Sequence, residues 1–227
     1  MAIEDRRAAA SAYIPALRFR ALTRFYEPVV RLTLKDEQVK AKLARDLALR
    51  SGMRVVDVGC GPGALAVRLA RENPDVDVLA VDGDAEVLDI ARRKAEAAGV
   101  RVDFRQGLAT APPVKLGSCE RVVMSLVLHH LLPPAKAQAL AAAFSLLRPG
   151  GEIHVVEWGK SSGPLMRALF LSIQVLDGFS NTRDHVAGRL PELLGRAGFT
   201  GVEETHRTPT IYGTLSFYRG AKPSATA

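Results

Sequence analysis

Apolar and polar positions along this chain follow two periods, and each change of period marks an element. Val39, Leu43 and Leu47 recur every four residues within 34–50, which predicts a helix with one face turned to a core. Residues 54–58 (Arg-Val-Val-Asp-Val) predict a short strand, and 64–71 a helix that opens directly after a glycine-rich turn. A second strand follows at 77–82. Asp84 is placed to cap the next helix, whose apolar stripe is Val87, Leu88, Ala91, Ala95 and Ala98, and Gly99 supplies the stop. Residues 100–105 predict a third strand. The continuous apolar run 121–127 predicts a buried parallel strand, and 134–147, led by Pro133-Pro134, a helix; Pro149-Gly150-Gly151 then turns the chain into a strand at 152–157.

Five alternations of strand and helix predict an α/β fold with a doubly wound, mostly parallel sheet and right-handed crossovers. Helices at 164–177 and 190–197 and strands near 201–207 and 213–219 follow, the last two forming a closing antiparallel hairpin in a seven-stranded sheet. Upstream, Tyr13 to Arg31 is broken by Pro15 and Pro28 and predicts shorter helices lying over the domain as a lid.

Composition narrows the function classes. A chain of 227 residues, 48% hydrophobic, suits a single domain with a sizeable core. The start, Met1-Ala2-Ile3-Glu4-Asp5, lacks the order of a secretion signal, and the longest apolar runs, such as 165–176, are too short and interrupted to span a membrane, so a cytoplasmic protein is expected. Cys60 and Cys119 are too few for a disulfide framework. The five histidines lack metal-site spacing, so no metal is expected. The formal charge of +7 raises nucleic acid as a partner. Residues 1–50 hold eleven Lys/Arg against six Asp/Glu, five of the seven excess charges, but they are spaced along a helix-like segment with acids mixed among them. A solvated helix face is the simpler reading, and nucleic acid is disfavoured.

The chemistry gathers in the loop after the first strand. In Gly59-Cys60-Gly61-Pro62-Gly63 the missing Cβ atoms let backbone approach a ligand closely. Asp82 closes the next strand, where a carboxylate accepts both hydroxyl protons of a ribose, so the two features together specify a nucleoside. Gly59, Gly61 and Ala64 also fit a dinucleotide fingerprint, which keeps a nicotinamide-dependent oxidoreductase as a competitor. Asp57 discriminates: a pyrophosphate gains nothing from a carboxylate there, whereas a sulfonium ligand with an amino-acid tail does.

Val55-Val56-Asp57-Val58-Gly59-Cys60-Gly61-Pro62-Gly63 resembles the first motif of class I S-adenosylmethionine-dependent methyltransferases. Ala80-Val81-Asp82 resembles their ribose-binding strand end, Val123 to Leu131 their fourth strand and its exit, and Leu147-Arg148-Pro149-Gly150-Gly151-Glu152 the turn before their fifth. The similarity is strongest to the small-molecule branch that includes ubiquinone and menaquinone biosynthesis methyltransferases, and Phe25-Tyr26-Glu27-Pro28 resembles a step found ahead of the domain there. The resemblance implies a Rossmann-like methyltransferase fold in one domain, 1–227: a helical lid over 1–50, a cofactor-binding half over 51–157, and an acceptor-side region with the hairpin over 158–227.

It also implies S-adenosylmethionine as cofactor and a site drawn from Tyr26, Asp57, Gly59, Cys60, Gly61, Gly63, Asp82, Gly83, Leu108, Ala109, Ser125 and Leu126. Gly59 and Gly61 would line the methionyl end, Tyr26 would reach its carboxylate from the lid, and Ser125 and Leu126 would flank the transferred methyl. Leu108 stands where the family usually offers an Asp to adenine, so adenine recognition falls to backbone amides and apolar packing. His129 is the candidate general base for an acceptor that carries a proton. Phe170, Ile173, Leu176, Phe179 and His185, with Tyr13, Arg20 and Tyr26 of the lid and Trp158 as a wall, mark an apolar acceptor region. The reaction expected is methyl transfer to a small, apolar organic acceptor, with an RNA methyltransferase as the alternative; Met124-Ser125-Leu126-Val127 stands where the nucleic-acid branch has Asn-Pro-Pro-Tyr.

Overall fold

The computed structural model describes residues 36–224, so the lid residues Tyr13, Arg20 and Tyr26 and the Phe25–Pro28 step lie outside the described residues. The first element is α1 (Asp36–Asp46), which buries Val39, Leu43 and Ala44 as its four-residue apolar spacing requires. Then come β1 (Arg54–Val58), α2 (Ala64–Glu72), β2 (Asp77–Asp82), α3 (Ala85–Ala97) and β3 (Asp103–Gln106). The second part holds β4 (Cys119–Ser125), a 3-10 turn (Leu128–His130), α4 (Pro133–Leu146), β5 (Leu147–Trp158), α5 (Pro164–Asp177), α6 (Phe179–Val186), α7 (Leu190–Arg196), β6 (Thr200–Thr210) and β7 (Gly213–Ala221).

The seven strands form one sheet in the order β3-β2-β1-β4-β5-β7-β6, with β7 antiparallel to both β5 and β6. This is the doubly wound sheet with a closing hairpin that the alternation predicts. Its order reverses between β1 and β4, and a crevice opens beyond the carboxyl ends of parallel strands at such a point. One apolar cluster lies on each face: Leu43, Leu47, Leu69, Leu88 and Phe170 on one, Leu128, Leu140, Leu146, Leu194 and Phe199 on the other. Among the described residues, no helix is long and apolar enough to cross a membrane.

Local signals set the boundaries. The Asp84 side chain accepts from the Glu86 and Val87 amides, capping α3, and Gly99 leaves the helix at φ 64. Three differences from the sequence pattern matter. β3 lies three residues later at its start than expected, because it is an edge strand with no buried residue to give it an apolar run. β4 stops at Ser125 rather than at 127: Leu126 takes φ 56, a left-handed conformation rare outside glycine, and turns the chain off the sheet into the 3-10 turn. The α6 helix was not expected, since its buried face is polar (Asn181, Thr182, Asp184, His185) and shows no apolar period.

Candidate functional site

A cavity of about 480 Å³ opens at the carboxyl ends of β1, β2 and β4. Ten of the residues expected at the site line it: Asp57, Gly59, Cys60, Gly61, Asp82, Gly83, Leu108, Ala109, Ser125 and Leu126. The loop after β1 is anchored to β2, because the Gly59 and Cys60 amides both donate to the Val81 carbonyl, at 2.7 and 3.0 Å. The Gly61 amide donates to Asp82 Oδ2 at 2.9 Å, and the Asp84 amide to Asp82 Oδ1 at 3.0 Å. These bonds hold the Asp82 carboxylate at the cavity edge. Burial pushes its carboxyl above the usual carboxylate range, against the pull of those amides.

The three glycines of the loop have different physical reasons. Gly59 (φ +76) leaves no room for a side chain, since an added Cβ would stand 2.3 Å from Val127 Cγ2. An added Cβ at Gly61 (φ +52) would meet nothing beyond its chain neighbours within 4 Å among the described residues, and Gly61 lines the cavity, so the space beside it is open to that cavity. Gly63 is absent from the lining. It starts α2, and its Cβ would meet Ala91 at 2.7 Å and Phe104 at 3.2 Å, so this glycine serves the packing of α2 on α3 and β3 rather than a ligand directly.

Asp57 is 1% exposed and neither carboxylate oxygen has a hydrogen-bond partner among the described residues. Burial first, then the charge of Asp82, raises its pKa to about 7, with the Lys40 charge opposing. An orphaned buried carboxylate is costly, and a cationic ligand group relieves the cost. Lys40 and Asp36, which the sequence pattern did not single out, line the same cavity from α1.

The exit of β4 is arranged differently from expectation. His129 is buried, and its imidazole turns onto Glu157 of β5, Nδ1 to Oε1 at 2.8 Å, while its backbone amide donates to Glu157 Oε2 at 3.2 Å. The Trp158 amide adds a third bond to this carboxylate at 2.8 Å. Burial acts to raise the Glu157 carboxyl, but the His129 charge, its hydrogen bond, the His185 charge and the Trp158 amide outweigh it and hold it at about 2. It is His130, not His129, that lines the cavity, together with Leu131, Ala135 and Gln138. Burial holds His130 down at about 3 and His185 at about 4, so both rings are neutral at pH 7.

Of the expected acceptor region, Trp158 is buried against Phe170 with ring centroids 5.4 Å apart, and neither residue lines the cavity. Ile173 and His185 are buried, and Phe179 is exposed. The Leu176 side chain lies outside what is described. Lys136, fully buried on α4, donates to the Asn181 carbonyl and to Asp184 Oδ2 at 3.3 Å, tying α4 to α6 behind this wall.

Comparison with known proteins agrees with this geometry. The family profile described as "Methyltransferase domain" matches residues 55–151, the span from β1 to the turn within β5. A ubiquinone biosynthesis O-methyltransferase of Sinorhizobium medicae is 32% identical over 213 residues, covering 92% of this chain and 84% of that protein. A demethylmenaquinone methyltransferase of Thermus thermophilus is 35% identical over 116 residues, 51% of this chain and 52% of that protein. The chain thus spans about half the length of the latter, and 36% of the length of an uncharacterized Synechococcus relative. In fold it is similar to phosphoethanolamine N-methyltransferase 2 of Haemonchus contortus in complex with S-adenosyl-L-methionine, with a TM-score of 0.66 at 15% identity over 82% of this chain and 53% of that one. A glycine cradle after β1 and a carboxylate closing β2, in a chain 32% identical over 92% of its length to a ubiquinone biosynthesis O-methyltransferase, place this protein in the class I S-adenosylmethionine-dependent methyltransferases, in the ubiquinone-type branch.

Proposed function

We propose that this chain transfers the methyl group of S-adenosylmethionine to a small, predominantly apolar organic acceptor. The observation that carries the reading is the shared wall: Leu126, Val127, Leu131 and Ala135 face the same cavity as the Gly59–Gly61 cradle, Asp57 and Asp82. The names of the relatives place their own methyl transfer in quinone biosynthesis, which supports an apolar ring-bearing acceptor here.

Asp82 would accept from the ribose hydroxyls, and Gly59 and Gly61 would let the loop backbone lie against the methionyl end. Asp57 would meet the α-ammonium, and Ser125 and Leu126 would border the reacting carbon. The sulfonium supplies an already activated methyl, so this chain mainly has to align an acceptor lone pair in line with the departing sulfur and keep water out, which is worth roughly 7–11 kcal/mol. For an acceptor that carries a proton, the candidate recipient is the His129–Glu157 pair, whose imidazole stands against the cavity-lining His130 ring with centroids 3.9 Å apart.

The test is calorimetry with S-adenosylhomocysteine and NAD, followed by a screen of phenolic and quinol acceptors for S-adenosylhomocysteine release. Binding of the first ligand and not of NAD is expected, and turnover on apolar phenols. Binding of NAD alone, or turnover confined to RNA, would overturn the reading.

Binding should also depend on pH. Because the Asp57 pKa is raised in the unliganded fold, its ionisation costs stability as pH rises from the ordinary range near 4 to about 7, and an ammonium ligand recovers that cost. Affinity for S-adenosylhomocysteine is therefore expected to rise by up to about tenfold between pH 6 and 7.5, then to fall as the ligand's own amino group loses its proton. A flat profile over that window would remove Asp57 from the ammonium role.

A further inference from the structure

Past Asp82 the cavity continues along the sheet to the exit of β3. With the methionyl end against the loop after β1 and the ribose on Asp82 of β2, the strand order β3-β2-β1 leaves the base over β3. The wall there is Gly83, Gly107, Leu108 and Ala109, and Leu108, 38% exposed, supplies most of its side-chain surface. None of these four side chains holds a hydrogen-bond acceptor. The carbonyls beside them already have donors of this chain: that of Asp82 takes the Gly107 amide at 2.9 Å, that of Leu108 the Ala111 amide at 3.0 Å, and that of Gly83 the Gln106 side-chain amide at 3.2 Å. Thr110 and Gln138 also line the cavity, but a hydroxyl or a carboxamide donates as readily as it accepts. The exocyclic amine of adenine is a donor. A site selects for such a donor when the group opposite it does nothing but accept and is left unpaired without it. Among the described residues, the β3 exit has no such group.

We propose that this chain does not read position 6 of the purine, so that its cavity also takes S-nucleosyl homocysteines whose base lacks the amine, and that Leu108 is the residue that sets this tolerance. This rests on S-adenosylmethionine being the ligand of the cavity with its ribose on Asp82. Recognition is then concentrated at the ribose and the amino-acid end. Over β3 the purine meets an apolar, half-open wall, which rewards the ring face and is indifferent to the substituent on its edge.

The experiment is a cycle in which the ligand loses its amine and the protein gains an acceptor. Wild type, Leu108→Asp and Leu108→Ala are titrated by calorimetry with S-adenosylhomocysteine and with its 6-deamino analogue, which keeps the ring nitrogens, the ribose and the amino-acid tail. Any backbone amide that donates to a ring nitrogen serves both ligands, so its effect cancels in the ratio. The wild type is expected to bind the two within about threefold of each other, since no acceptor is stranded when the amine is removed. Leu108→Asp places an acceptor-only carboxylate on the wall and should prefer the ligand with the amine by about tenfold or more, as for a hydrogen bond to a charged group. Leu108→Ala should weaken both ligands alike. A larger preference for the amine in the wild type, or an unchanged ratio in Leu108→Asp, would overturn the proposal. Failure of the wild type to bind either ligand would instead overturn the cofactor reading beneath it. Leu108 is partly exposed, so a melt of Leu108→Asp within a few degrees of the wild type is the folding control, and the wild-type ratio decides the proposal even if that variant does not fold.

Discussion

A Gly61→Ala variant is expected to melt within a few degrees of the wild type yet to bind S-adenosylhomocysteine at least about 100-fold more weakly. The two halves of this result have separate causes. An added methyl meets nothing beyond its chain neighbours among the described residues, so the cost to the fold is that of an alanine at φ +52, about 1–2 kcal/mol. The methyl instead projects beside the cavity, where it would overfill the contact between loop and ligand at a cost of about 3 kcal/mol, which is about 100-fold in affinity. Two neighbours serve as controls. Gly63→Ala should lose stability with little specific effect on binding, because its methyl would meet Ala91 and Phe104. Gly59→Ala should lose both, since its methyl would stand 2.3 Å from Val127, which itself lines the cavity. Wild-type affinity in Gly61→Ala would show that the ligand does not lie against this loop.

Glu157→Ala should be the most destabilising single change in the second half of the chain. The carboxylate is fully buried, and removing it strands the His129 ring and amide and the Trp158 amide at once. Breaking a buried pair of this kind costs about 3–5 kcal/mol, which lowers the melting temperature by roughly 10 °C in a domain of this size. Its lowered pKa means that the stabilisation is present above pH 4.5 and is lost as pH falls through about 2, so acid should abolish the difference between variant and wild type. Glu157→Gln keeps an acceptor for one amide and should fold. Its turnover is expected to fall for acceptors that must lose a proton, while its affinity for S-adenosylhomocysteine stays unchanged. Equal turnover of Glu157→Gln and wild type on such acceptors would remove the His129–Glu157 pair from the chemistry. A melt of Glu157→Ala matching the wild type would contradict the buried network.

The glycine loop and the carboxylate at the end of β2 were legible in the sequence because their causes are local. Positive φ at Gly59, Gly61 and Gly63, and the Asp82 carboxylate gathering amides from Gly61 and Asp84, follow once a strand ends in a tight turn beside a second strand. The different reasons for the three glycines were not legible, since they depend on what stands opposite each: Val127, the cavity, or Ala91.

The exit of β4 shows the other limit. In Leu128-His129-His130 the residues declare two imidazoles, but the left-handed turn at Leu126 and a carboxylate 28 positions away decide which one lines the cavity. The same holds for α6, whose polar buried face is satisfied by Lys136 on α4, Gln174 on α5, the His130 carbonyl and the β5 end, so no apolar period announces it.

By itself, then, the sequence determined the alternation of strands and helices, the sheet they build, the cradle and the class of nucleoside ligand it holds. These follow from periodicity and from backbone preferences acting over a few residues. Packing between distant segments set that Asp57 has no hydrogen-bond partner among the described residues, that Lys40 of α1 lines the same cavity, and that His130 rather than His129 meets it. Those outcomes depend on burial and on contacts between distant segments, and a buried charge has no determined state until the packing around it does.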